Sequence, residues 1–205
     1  MKNKLIKPES LVFDIGANVG QSAIKFLQAG AKTVVSVEAC WKNYVCIPRR
    51  KGIVPVHAAA WHNSGFTEIR YAISQCGLST TKLEKWSRQY PETEWDDPEI
   101  VTAVTLDQLS GYFGLPDVVK VDVEGAELEV LMGMHFRPKI LFFEFHWKEG
   151  GDAVKCLELL HGLGYEKAHY TRQDVDLDTI PTVKIREFIP RWKNDKPEWG
   201  NITVI

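Results

Sequence analysis

The chain has 205 residues, of which 44% are hydrophobic and 25% charged, and carries a formal net charge of −2 at pH 7. That length suits one domain with its own core, and the near-neutral charge argues weakly against a strong sequence-independent hold on nucleic acid, leaving a local basic patch open. No apolar run approaches the ~20 residues of a membrane helix, and Met1–Ser10 lacks the apolar core of a signal peptide, so a cytoplasmic protein without nucleic-acid or membrane partners is expected.

In chain order, Leu11–Ile15 is a short apolar run that ends at a glycine-rich turn, and Gln21–Ala29 follows with Ala23, Ile24 and Leu27 at helical spacing. Thr33–Val37 is β-branched and reads as a second strand, Ile53–Ala60 as a third, and Phe66–Ile73 as an extra strand. Val118–Val121 is a strand after a Leu-Pro-Asp turn, and Glu127–Met134 places Leu128, Leu131 and Met132 on one helical face. Ile140–Phe145 is a further strand. Ala153, Cys156, Leu157 and Leu160 form a helical stripe with Asp152 as its N-cap, and Tyr165–Tyr170 and Asn201–Ile205 are final strands. Strands alternating with helices predict an α/β fold: a mostly parallel, seven-stranded sheet with helices on both faces, in a single domain spanning 1–205. The polar stretches 74–100 and 171–200 are expected as loop or lid elaborations that shape an acceptor pocket. Cys40, Cys46, Cys76 and Cys156 form no CxxC pair and match neither a zinc site nor a disulfide scaffold, which predicts reduced thiols.

In such a sheet, ligands sit beyond the carboxyl ends of the strands. The first strand runs into Asp14-Ile15-Gly16-Ala17-Asn18-Val19-Gly20-Gln21, the strand, glycine turn and helix of a nucleotide-binding unit. The spacing is Gly-x-Asn-x-Gly rather than that of dinucleotide sites, and Asp14 precedes the first glycine by two positions. A carboxylate there repels a pyrophosphate but attracts the sulfonium and ammonium of S-adenosylmethionine. Glu38 ends the second strand, where a carboxylate accepts from ribose hydroxyls.

A second cluster follows the later strands. Asp122 ends one, Glu144 and His146 end the next, and in a parallel sheet they emerge side by side. The three are candidates for a catalytic base, with His146 having the most useful ordinary pKa. They are also a candidate hard-ligand set for Mg²⁺ or Mn²⁺. Glu127 and Glu129 read as first-turn helix acids. Trp41, Trp61 and Trp147 follow strands and are candidates to border the site, with packing as the plainer role.

The chain resembles the FkbM-type family of S-adenosylmethionine-dependent methyltransferases. The resemblance runs from Leu11 to about Trp147 and is carried by DIGANVGQS (14–22), Glu38, the Ala-Ala-Trp segment at Ala59, VTLDQL (104–109), KVDVEGAELEVL (120–131) and Glu144. It implies a Rossmann-like class I methyltransferase fold and methyl transfer to a hydroxyl of a sugar or small natural product, with a small-molecule or glycan acceptor. It further implies cofactor contacts at Asp14, Gly16, Asn18, Gly20 and Glu38, an adenine wall around Ala58–Ala60, and Asp122 and Glu124 beside the transferred methyl. Three readings compete on the same fold: an NAD-dependent oxidoreductase, against which Asp14 and Asn18 speak; a non-catalytic nucleotide-binding module, against which Asp122, Glu144 and His146 speak; and a nucleic-acid or protein methyltransferase, against which Asp-Val-Glu-Gly (122–125) in place of an Asn-Pro-Pro-Tyr-type block speaks.

Overall fold

Alternation along each central strand sends its residues to two different cores, and this sets the layers. Phe13, Ile15, Val119, Val121, Leu141 and Phe143 bury on one face, while Val12, Val34, Val118, Ile140 and Phe142 bury on the other. The computed structural model describes residues 6–73, 79–146, 152–171, 183–187, 189 and 199–205. The central strands are β1 (Leu11–Ile15), β2 (Thr33–Glu38), β3 (Ile53–His57), β8 (Val118–Val121) and β9 (Ile140–His146), all paired in parallel. β12 (Trp199–Val204) adds antiparallel to β9, and β10 (Lys167–Thr171) adds antiparallel to β12.

Helix α1 (Gln21–Ala29) covers one face through Ala23 and Phe26, and Phe26 stacks on Phe142 at 6.0 Å. The other face is covered by α4 (Leu106–Phe113), α5 (Glu127–Met132) and α6 (Asp152–Gly162), through Leu106, Leu109, Val130, Leu131, Leu157 and Leu160. The expected α/β sheet with helices on both faces is therefore present. Among the described residues it has eight strands where seven were expected, the additional one being β11 (Val183–Lys184), a two-residue edge strand on β10.

Three features depart from the sequence reading. The run 53–60 is two strands, because the chain turns at Ala58, whose N–H donates to the carbonyl of Glu38. The remainder, β4 (Ala59–Ala60), joins a second, four-stranded sheet with β7 (Glu99–Val104), β5 (Gly65–Tyr71) and β6 (Ser79–Thr80), in the order β4-β7-β5-β6. The described part of the polar stretch 74–100 carries β6 and α3 (Leu83–Gln89) rather than loop alone; α3 has no side-chain N-cap, and its anchor is the buried Trp86. Helix α4 has a full capping box, with the Thr105 side chain accepting from Gln108 N (3.0 Å) and the Gln108 side chain accepting from Thr105 N (3.1 Å). Asp152 is the first residue of α6 rather than a residue before it. Most of 171–200 lies outside the described residues, and so does Cys76; Cys40 and Cys156 are buried and Cys46 is exposed.

Candidate functional site

The glycine turn is clamped between two strand ends. The N–H groups of Gly16 and Ala17 donate to the carbonyl of Val37 on β2 (2.9 and 3.0 Å), and Asp122 N, just past β8, donates to the carbonyl of Ile15 (3.0 Å). Gly16 has φ +73°, and a Cβ on it would stand 1.7 Å from the carbonyl oxygen of Asp122. Only glycine permits that approach. Asn18 is also left-handed, at φ 49°, which aims its N–H at the Oε2 of Glu38 (2.8 Å). The other carboxylate oxygen of Glu38 accepts from Cys40 N (2.7 Å). Burial pushes the Glu38 carboxyl up, and the two N–H donors oppose that shift. Each of its oxygens keeps a further lone pair for a ligand.

Glu38 stands in a cleft floored by Gly16, Asn18, Val37 and Ala39, with one wall from Ala58, Ala59, Ala60 and Ile69 and the other from Asp122, Val123, Glu124 and Ala126. Ser79 and Thr81 close it. None of the described lining residues is a lysine or arginine.

Behind the cleft is a buried charge network. Lys120 on β8 is the cross-strand neighbour of Asp14 on β1. Its ammonium stands 3.4 Å from Asp14 Oδ1, 3.1 Å from Asp122 Oδ2 and 3.4 Å from the carbonyl of Gly16. Asp14 is fully buried, which pushes its pKa up against the pull of Lys120. Lys120 is itself held above the ordinary lysine range: burial works against its charge, but Asp14 and Asp122 outweigh it. One cation thus ties the first strand to the carboxylate that enters the cleft.

Asp122 meets two more acids. The register Val121↔Phe143 puts Asp122 beside Glu144, and the turn after β8 brings in Glu124 at φ 53°. A carboxylate oxygen from each of Asp122, Glu124 and Glu144 lies within 4.8 Å of the other two. Burial, with Asp122, Glu144 and Glu127 nearby, pushes Glu124 up to about 9, so it holds a proton at neutral pH. Glu127 is buried, and its Oε1 accepts from Gly125 N (3.0 Å) and Val123 N (3.3 Å), which fixes the turn; Glu129 pairs with Lys82.

The raised Glu124 gives a stability prediction. Its proton is bound in the folded state up to about pH 9 but is lost from the unfolded chain near the ordinary value of 4.5. The folded state therefore binds more protons across that window, and stability falls as pH rises through it. Glu124→Gln has nothing to titrate, so its melting temperature should decline less than that of the parent between pH 6 and pH 9. Parallel melting curves over that range would show that Glu124 is ionised throughout.

The sequence profile of the Methyltransferase FkbM domain matches residues 14–167. The chain belongs to the FkbM methyltransferase family. Among solved structures, an FkbM methyltransferase from Methylobacillus flagellatus KT is similar, with TM-score 0.52 and 12% identity over 96% of this chain and 44% of that one. The chain thus spans less than half the length of that relative. Fibrillarin from Aeropyrum pernix, solved in complex with natively bound S-adenosyl-L-methionine, superposes with TM-score 0.51 and 11% identity over 98% of this chain and 68% of that one. At such identities the likeness is one of fold, and the fold is the Rossmann-like one of class I methyltransferases. None of the curated protein sequences compared with the chain matches it.

Of the residues expected from the FkbM-type motifs, Gly16, Asn18, Glu38 and Ala59 line the cleft, and so do Asp122 and Glu124. Asp14 lies one layer behind, on Lys120, and Gly20 (φ +82°) starts α1, where a Cβ would meet Pro48 at 2.8 Å. Glu144 joins Asp122 at the cluster. His146 ends β9, but its side chain and Trp147 lie outside the described residues. Neither Trp41, half exposed on helix α2 (Trp41–Tyr44), nor Trp61 lines the cleft. Sequence reasoning missed Lys120, whose buried partner Asp14 is remote along the chain, and residues 79–82, which read as polar loop.

Proposed function

We propose that this domain binds S-adenosylmethionine in the cleft and directs its methyl group to a hydroxyl of a sugar or small natural product. The observation that carries the reading is the convergence of the glycine turn, Glu38, the alanine wall and the Asp122 cluster on one cleft. The donor set fits the cofactor. Gly16 lines the cleft, Glu38 has lone pairs for a ribose diol, and Ala58–Ala60 with Ile69 offer an apolar slot for a purine. The charge is right for a sulfonium and an ammonium and wrong for a pyrophosphate, since the described lining is acidic with no cation. This disfavours the NAD reading.

When bound, S-adenosylmethionine supplies an electrophilic methyl group on a positively charged sulfur. The chain must hold the acceptor oxygen in line and take its proton as it attacks. Asp122, which lines the cleft, and Glu144 beside it are the candidate carboxylates to accept that proton, and His146, two positions beyond Glu144, is a third. Glu124 carries a proton of its own and serves as a hydrogen-bond donor. A divalent cation held by Asp122, Glu124 and Glu144 would displace that proton. Methyl transfer that survives chelation supports the proton, and transfer lost on chelation and restored by Mg²⁺ or Mn²⁺ supports the metal.

The near-neutral chain suits a small-molecule or glycan acceptor rather than a nucleic acid, and the free thiols suit the cytoplasm. No described helix is long and apolar enough to cross a membrane. The test is Glu38→Gln. Losing a charged acceptor of the ribose hydroxyls should weaken S-adenosylhomocysteine binding about 10- to 100-fold while the protein still unfolds cooperatively. Unchanged affinity would remove Glu38 from the site.

A further inference from the structure

Residues 79–82 form a strap across the cleft. Strand β6 pairs antiparallel with β5, Tyr71 against Ser79 and Arg70 against Thr80, and this carries the chain over the carboxyl edge of the main sheet. Three contacts fix it there. The buried Thr80 hydroxyl donates to the carbonyl of Glu124 (2.9 Å) and accepts from Lys82 N (2.9 Å). The Lys82 ammonium pairs with Glu129 on α5 and stands 5.2 Å from the centre of the Trp61 ring, just past β4. The strap is thus tied to the turn after β8, to α5 and to the segment after β4.

Between these anchors Thr81 lines the cleft, and its Oγ1 is buried without a hydrogen-bond partner among the described residues. A buried hydroxyl left unpaired is costly, and native structures keep such groups where a ligand completes them. Of the two walls it closes, the one made of Ala58, Ala59, Ala60 and Ile69 is wholly apolar. A planar base fills such a slot by dispersion and burial, but its polar edge then needs a partner. A threonine hydroxyl can donate to a ring nitrogen or accept from an exocyclic amine.

We propose that Thr81 is a cofactor-recognition residue, whose hydroxyl bonds the adenosine half of the nucleoside lying along Glu38 and Ala58–Ala60. The assignment rests on the cofactor reading above. The strap's anchors, Thr80 and Lys82, act through Thr81 and are positioning residues.

Calorimetric titration of the parent, Thr81→Val and Thr81→Ser with S-adenosylhomocysteine and with 5′-methylthioadenosine tests this. The second ligand keeps the adenosine and lacks the amino-acid end. Thr81→Val should weaken both ligands by the same factor, roughly tenfold, and Thr81→Ser should stay within about threefold of the parent. The unliganded valine variant should melt no lower than the parent, because the hydroxyl has no partner to lose; a merely structural threonine would lower it. Unchanged S-adenosylhomocysteine affinity in Thr81→Val overturns the proposal. So does a loss confined to S-adenosylhomocysteine, which would put the contact at the amino-acid end. If the parent binds neither ligand, the cofactor reading fails and the proposal falls with it.

Discussion

Lys120→Met is expected to destabilise the domain by about 3–5 kcal/mol at neutral pH, the cost of leaving a buried charge without its partner. Asp14 is fully buried, and the Lys120 ammonium is its neighbour across the β1–β8 ladder. Asp122 loses the same partner but is about one-third exposed and can turn to water. The orphaned Asp14 has one escape, to take up a proton. The penalty should therefore shrink as pH falls and the already raised carboxyl of Asp14 protonates. Adding Asp14→Asn removes the stranded charge, so the double variant should recover much of the loss. Urea unfolding of the two single variants and the double gives the coupling directly. A strictly additive cycle would contradict a functional Asp14–Lys120 pair.

Gly16→Ala should be as damaging for a different reason. The added Cβ would stand 1.7 Å from the Asp122 carbonyl oxygen and 2.7 Å from its carbonyl carbon, and both are backbone. No side chain can rotate away, and φ +73° is strained for alanine in any case. The turn must move, and it is hydrogen-bonded to the ends of both β2 and β8. Overpacking together with the left-handed backbone costs about 2–5 kcal/mol. The displacement also separates Glu38 from Asp122, so S-adenosylhomocysteine affinity should fall by about 100-fold or more. Calorimetry on folded Gly16→Ala protein, with circular dichroism to confirm the fold, checks this. Parental affinity would mean that the ligand does not lie on this turn.

The parts legible in the sequence are those whose signal is local. The run Leu11–Ile15, the glycines after it and the apolar spacing of Gln21–Ala29 lie within a few turns of chain, and the structure has β1 and α1 there. Asp122 and Glu144 could be placed together because parallel neighbours carry their strand-end residues to one edge. Of the second sheet only β5 was legible, as the extra strand expected at Phe66–Ile73. β4 and β6 have two residues each, too few for any period, and the partner of β4, β7, is distant in sequence. Lys120 looks like an ordinary polar position in a strand until the ladder sets Asp14 against it. The strap was hidden similarly: Thr80 and Lys82 sit in a polar stretch, and what holds them, Glu124, Glu129 and Trp61, comes from three other parts of the chain. The capping box of α4 was in plain view as Thr105-x-x-Gln108, ahead of a helix too short to announce itself.

The most direct test of the account is calorimetric titration of the parent protein with S-adenosylmethionine, S-adenosylhomocysteine and NAD. The expected result is one saturable site for both methionine-derived ligands and no binding of NAD. A preference for NAD, or no binding of either methionine-derived ligand, would contradict it.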